Sequence, residues 1–171
     1  MISLKSSHEL KALKRAGRLS AQALQLGGSM VEPGVSTWEI DKAVHDFIVK
    51  SGATPSFLNY GGFPASVCIS INNEVIHGVP SRDRIIHEGD IVSLDVGACL
   101  DGYHGDNAAT YPAGKVSEEA TRLMDVTRES LQKAIEVAKA GLRIGDLGHT
   151  IQAYVEAAGF AVVRKYVGHG V

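Results

Sequence analysis

The chain has 171 residues, 44% of them hydrophobic and 21% charged, with a formal net charge of −2. That is enough chain to bury a core, and it is too hydrophobic for a disordered segment. It excludes a nucleic-acid partner held by bulk positive charge, and no apolar run approaches the roughly 20 residues that span a bilayer.

The opening stretch, MISLKSSHELKALKR, has no apolar segment of the signal-peptide kind. Cys68 and Cys99 are the only cysteines and form no C-x-x-C, so we expect a reducing, cytoplasmic setting and not a disulfide framework. Ser6 and Glu9 have capping-box spacing, and Leu10, Leu13 and Leu24 predict a helical stripe ended by Gly27 and Gly28. Lys5, Lys11, Lys14 and Arg15 read as its solvated face. Ser36 and Glu39 repeat the cap. Ile40, Val44, Phe47 and Ile48 then give an i, i+4, i+7, i+8 face closed by Gly52, with Trp38 packing at the helix start.

From Ser66 to Tyr111 the pattern is strand-like. VCISI runs to a turn at Asn72-Asn73, and EVIHGVP reads as its partner strand, ended by Gly78 and Pro80. Glu88-Gly89-Asp90 is a turn. IVSLDVGA and YHGDNAATY form a hairpin. Ser117 opens a further helix carrying Leu123, Thr127, Leu131 and Ala138, closed by Gly141. Leu147, Ile151, Tyr154 and Val155 give another i, i+4, i+7, i+8 face, closed by Gly159. The last residues, Tyr166 to Val171, read as the interior of a strand.

Gly34 to Gly52 and Gly141 to Gly159 both span 18 residues, and the two pairs are offset by 107. At that offset all four apolar positions of the second helix meet those of the fourth. This predicts a duplication: two repeats of a helix pair followed by strands, packed into one α+β body. The first repeat covers about 1–114 and the second about 115–171, within a single domain of residues 1–171. The second repeat stops where its strands should begin, so the expectation is about one and a half repeats of a larger body, or a truncated product.

The hairpin carries the chemistry. Centred between Leu100 and Asp101, it sets Asp95 directly opposite Asp106 and Gly97 opposite His104. Directly opposed Cβ atoms lie about 4.5–5.5 Å apart. Two carboxylates that close in an apolar strand repel each other and lose hydration, and a bound dication relieves both penalties. Two other readings stay open: a one-residue slip that puts the two on opposite faces, and a carboxyl pair sharing one proton.

LDVGACLDGYHGDNAATY, VCISINNEVIHGVP, SFLNYGG and YVGHGV together resemble the type I methionine aminopeptidases, metallo-aminopeptidases of the pita-bread fold. The resemblance runs from the first helix to the last residue, and IHGVP separates this branch from the proline-peptide hydrolases and creatinases. It implies a pseudo-symmetric pita-bread body around an antiparallel or mixed sheet, the second repeat incomplete. It also implies removal of N-terminal methionine from nascent or short peptides by a water or hydroxide bridging two divalent ions (Co, Mn, Fe or Zn).

By the same resemblance Asp95 and Asp106 are metal ligands, Asp106 bridging, and His169 is the imidazole ligand. His77 binds substrate and helps stabilise the tetrahedral intermediate, while Tyr60, Phe63 and Cys68 line the methionine pocket. His104, on the same strand face, is a candidate for orienting a ligand. The family's two glutamate ligands and a second substrate histidine lie downstream of GHG and have no counterpart in this chain. The alternative is therefore a catalytically incomplete form that binds metal weakly, or peptide ends without turnover. The implied partners are N-terminal Met peptides, with ribosome contact left open and neither nucleic acid nor membrane involved. A monomer in the cytoplasm is implied.

Overall fold

The computed structural model describes residues 3–166 and 168–171. The expectation for YVGHGV therefore falls partly on Val167, outside the described residues, as do the first two residues of the opening stretch. The chain divides into two compact units, Met1–Val116 with Val171, and Ser117–Gly170.

In the first unit α1 (Ser7–Gly28) and α2 (Thr37–Lys50) precede β1 (Thr54–Pro55), a 3-10 turn (Tyr60–Gly62), β2 (Val67–Ile71), β3 (Ile91–Leu100) and β4 (Tyr103–Pro112). Both helices begin on a complete capping box, Ser6 with Glu9 and Ser36 with Glu39, each serine oxygen accepting the glutamate N–H at 3.3 Å. β3 pairs antiparallel with all three other strands. β4 takes one edge along its whole length, so β1 and β2 share the other.

One face of this sheet is apolar and packs on the helices. Val67, Ile69, Val92, Leu94, Val96 and Ala98 form one buried cluster with Ala23, Leu24, Ile40, Val44 and Ile48. The stripe expected on α1 is corrected. Of the expected residues Leu24 is buried but Leu10 is 57% exposed, and the rest of the buried line is Ala12, Ala16, Leu19, Ser20, Ala23 and Gly27. Small residues win because the helix lies almost on the strands. A Cβ on Gly105 of β4 would stand 2.3 Å from the Ala16 carbonyl oxygen. The Ser20 hydroxyl donates to the Val96 carbonyl at 2.6 Å, and the Asn107 amide donates to the Gly17 carbonyl at 3.1 Å.

Two strand expectations are also corrected. EVIHGVP is not a strand: beyond the turn at Asn72 the segment is irregular, and instead of a ladder it meets β2 through scattered hydrogen bonds, such as the Ile69 N–H donating to the Gly78 carbonyl at 2.9 Å and the Gly78 N–H to the Ser70 hydroxyl at 3.1 Å. The hairpin turns one residue later than expected. Leu100 pairs with Tyr103, and Asp101 and Gly102 sit at φ 53° and 80°. Positive φ at both central residues is the type I′ turn that Asp-Gly favours, a signal already present in the sequence.

The second unit holds α3 (Glu118–Val137), capped by Ser117, and α4 (Ile144–Ala157). Ala138 is the C-cap and lies outside the helix, and Leu131 is 53% exposed. The buried side of α3 is Val126, Ser130 and Ala134. The predicted repeat is visible in the backbone. α4 begins and ends 107 positions after α2, Thr37 to Ile144 and Lys50 to Ala157. Gly34 and Gly141 share φ near 90° (94° and 92°), and Gly52 and Gly159 match at 75° and 82°. The expected strand at Tyr166 to Val171 is absent: the described residues there are irregular.

Candidate functional site

The sheet face turned away from α1 and α2 carries the polar chemistry. β3 presents Ser93, Asp95, Gly97 and Cys99 there. β4 answers with Thr110, Ala108, Asp106 and His104, and β2 with Ser70 and Cys68. The expectation that Asp95 directly opposes Asp106 is overturned: Asp95 pairs with Ala108, and Asp106 with Gly97. Moving the turn by one residue shifts each cross-strand pair by two, which preserves the face. The two carboxylates are therefore diagonal neighbours on one face, a relation that separates residues by about 7–8 Å. The slip that would have put them on opposite faces does not occur.

The residue directly opposite Asp95 on its other side is Cys68. Burial pushes its thiol up to about 12, with Asp95, Asp106 and Asp41 adding to the shift. Both carboxylates thus act on one sulfur, which stays an S–H at neutral pH. A thiol held in that form is a poor nucleophile. β2 itself is aimed by Asp41 of α2, whose Oδ1 accepts the N–H groups of Ser66 and Val67 at 2.8 Å each. Burial raises the Asp41 carboxyl, against those two hydrogen bonds. His45 is half-buried, with Nδ1 2.8 Å from the buried Ser66 hydroxyl.

His104 stands on the same face, paired with Cys99, and its Nδ1 lies 2.9 Å from the Ser56 hydroxyl. Gly97 lies between the two aspartates because the Phe57 ring occupies the space above it. A Cβ there would stand 2.6 Å from the ring. Phe57 was not singled out from the sequence, since only the fold lays that segment on the carboxylate face. Tyr60 and Phe63 bracket the short 3-10 turn that follows, Tyr60 80% exposed and Phe63 half-buried.

His77 is exposed, on the irregular segment beside β2, with the left-handed φ of 59° that a residue with a Cβ rarely adopts. His169 belongs to the second unit and lies in an irregular stretch. Among the described residues no three His, Cys, Asp or Glu side chains converge as a metal-binding group. What the first unit offers a cation is a pair of hard oxygen donors on one face. That donor set fits a divalent ion of the Mn, Fe, Co or Zn kind as part of a ligand shell.

Residues 11–171 match the model of metallopeptidase family M24. The chain is 50% identical over its full length to a methionine aminopeptidase of Clostridium acetobutylicum, spanning 68% of that protein. Its fold superposes on the crystal structure of methionine aminopeptidase from Rickettsia prowazekii with a TM-score of 0.97 at 40% identity. It covers 100% of this chain and 68% of that one. The Thermotoga maritima enzyme gives the same TM-score at 44% identity, again over 100% of this chain and 69% of the other. No helix among the described residues is long and apolar enough to cross a membrane. A pita-bread sheet with two aspartates on its polar face, over a sequence this similar throughout, places the chain in metallopeptidase family M24, among the methionine aminopeptidases.

Proposed function

We propose that this chain carries the first part of a metal-dependent aminopeptidase site that removes methionine from the N-terminus of nascent or short peptides. The observation that carries the reading is the common face of Asp95 and Asp106, with Cys68 opposite Asp95. In this reading Asp95 and Asp106 would hold divalent metal, and His169 would add an imidazole ligand. When bound, such ions polarise the scissile carbonyl and bring the pKa of water down to about 7.

This chain's own residues do the rest. The Cys68 thiol, Phe57, Phe63 and Tyr60 supply an apolar, polarizable wall for a thioether side chain. His77 donates a hydrogen bond to the oxygen on which charge develops. His104, held at Nδ1 by Ser56, orients a carboxylate on the shared face. Cys68 and Cys99 are both free thiols, in keeping with action in the cytoplasm.

The test is hydrolysis of a Met-Ala-Ser peptide by the native gene product, with metal content measured in the same samples. Asp106→Asn should lower bound Mn or Co and cut turnover by about 100-fold or more. Turnover kept in that variant would refute the assignment.

A further inference from the structure

His77 sits where the fold offers least regular support. Its segment forms no strand, yet its φ is left-handed and the next residue is pressed on β2. A Cβ on Gly78 would stand 2.0 Å from the Ile69 carbonyl oxygen. Such a backbone persists only when its surroundings over-determine it. Part of the bracing is local: the Gly78 N–H donates to the Ser70 hydroxyl at 3.1 Å, and the Ile69 N–H donates to the Gly78 carbonyl.

The rest converges on one side chain from outside the turn. The Arg84 guanidinium donates through Nη1 to the Val79 carbonyl at 2.8 Å and to the Ile69 carbonyl at 3.3 Å. Its Nη2 pairs with Glu74. The same Glu74 oxygen accepts the Ile71 N–H at 2.8 Å. One planar fork thus joins the residue three before His77, the residue two after it, and the strand behind it. The Arg84 side chain is 27% exposed, against 62% for Arg15 in its surface pair.

Arg84 is itself anchored on α2. Its carbonyl accepts the Thr37 N–H at 2.9 Å, the Ser81 carbonyl accepts the Thr37 hydroxyl at 3.1 Å, and the Arg82 guanidinium lies 3.3 Å from the centre of the Trp38 ring. An ion pair whose carboxylate is 42% exposed adds little to stability. What it does add is position.

We propose that Arg84 is a positioning residue for His77, fixing the turn that carries it against β2 and the first turn of α2; this rests on the reading of His77 as a group that touches substrate. Lysine cannot replace it, because a single ammonium cannot span the Glu74, Val79 and Ile69 oxygens with fixed geometry.

The test uses the full gene product and two readouts. The first is hydrogen exchange of the Ile69 amide, which reports closure of the turn without reference to activity. Arg84→Ala should accelerate it by about tenfold or more, Glu74→Gln should follow in the same direction, and Arg84→Lys should fall between. The second is turnover of Met-Ala-Ser with Mn. Arg84→Ala should lower kcat by about 10- to 100-fold at unchanged metal content. Adding it to His77→Ala should change kcat by less than about twofold, because the two act as a unit.

Unchanged Ile69 exchange in both Arg84→Ala and Glu74→Gln overturns the proposal. So does a full additional loss from Arg84→Ala in the His77→Ala background, which leaves His77 itself intact as a substrate residue. Wild-type turnover in His77→Ala removes the reading of His77, and the positioning role with it.

Discussion

α2 and α4 are the same helix written twice, and they have very different surroundings. Ile40, Val44 and Ile48 of α2 are fully buried in one cluster with residues of α1, β2 and β3. Of their counterparts in α4, Leu147 and Ile151 are half-buried and only Val155 is buried. α4 is held within its own unit by polar and ring contacts: Lys133 lies 4.8 Å from the Tyr154 ring, Tyr154 hydrogen-bonds Glu129, and Arg122 reaches the Ala158 carbonyl at 3.2 Å. An apolar stripe therefore specifies that a helix forms and which side is apolar. How much that side stabilises depends on whether a sheet in the same unit covers it.

The comparison breaks most directly at equivalent core positions. Ile40→Ala should destabilise the first unit by about 2–5 kcal/mol, since the residue is fully buried among packed neighbours. Its counterpart, Leu147→Ala, should cost about 1 kcal/mol or less. Urea unfolding midpoints measure both, and equal losses would mean that α4 is as well packed as α2.

A smaller effect separates two helical glycines. A Cβ on Gly27 of α1 would meet Leu94 Cδ1 and Val44 Cγ2 at 3.1 Å, whereas a Cβ on Gly148 of α4 meets nothing within 4 Å. Gly27→Ala should destabilise by about 1 kcal/mol through overpacking. Gly148→Ala should stabilise by about 0.5–1 kcal/mol by reducing unfolded-state freedom. Thermal denaturation gives the opposite signs, and a matching sign would erase the contrast.

The smallest effect lies at the caps. α2 has both halves of its capping box, while α4 opens on Arg143, with the Arg143 N–H donating to Asp146 at 2.9 Å. The Ser36 hydroxyl and N–H hold the Glu39 carboxyl below the ordinary glutamate range. A depressed carboxylate contributes stability above its unfolded pKa and loses it as pH falls through the folded value. Glu39 should therefore titrate by NMR at a lower pH than a free glutamate. It should return toward the ordinary range in Ser36→Ala; an unchanged midpoint there would show that the cap is not the cause.

Much of the site was legible beforehand because its signals are local or depend on parity. Asp95, Asp106 and His104 share a face under either hairpin register, since moving the turn by one residue shifts partners by two. Cys68 was reached through the resemblance, and only the pairing of β2 with β3 sets it opposite Asp95. Asp95 and Asp106 are not directly opposed because Asp101 and Gly102 form a two-residue turn with positive φ, which moves the centre of the hairpin by one residue. Phe57 over Gly97 and the Arg84 fork carry no periodicity and no motif. They exist only where separate segments meet.

By itself the sequence determined the four helices, the capping serines, the 107-residue repeat and which strand residues share a face. Each of these follows from hydrogen bonds or periodicities within a few residues of chain. Only the tertiary structure decided the hairpin register, the irregular path through His77 and the small-residue seam of α1. It also decided the different burial of α2 and α4. Those depend on close approach between distant segments, where one Cβ, such as one on Gly105 against the Ala16 carbonyl, decides what fits.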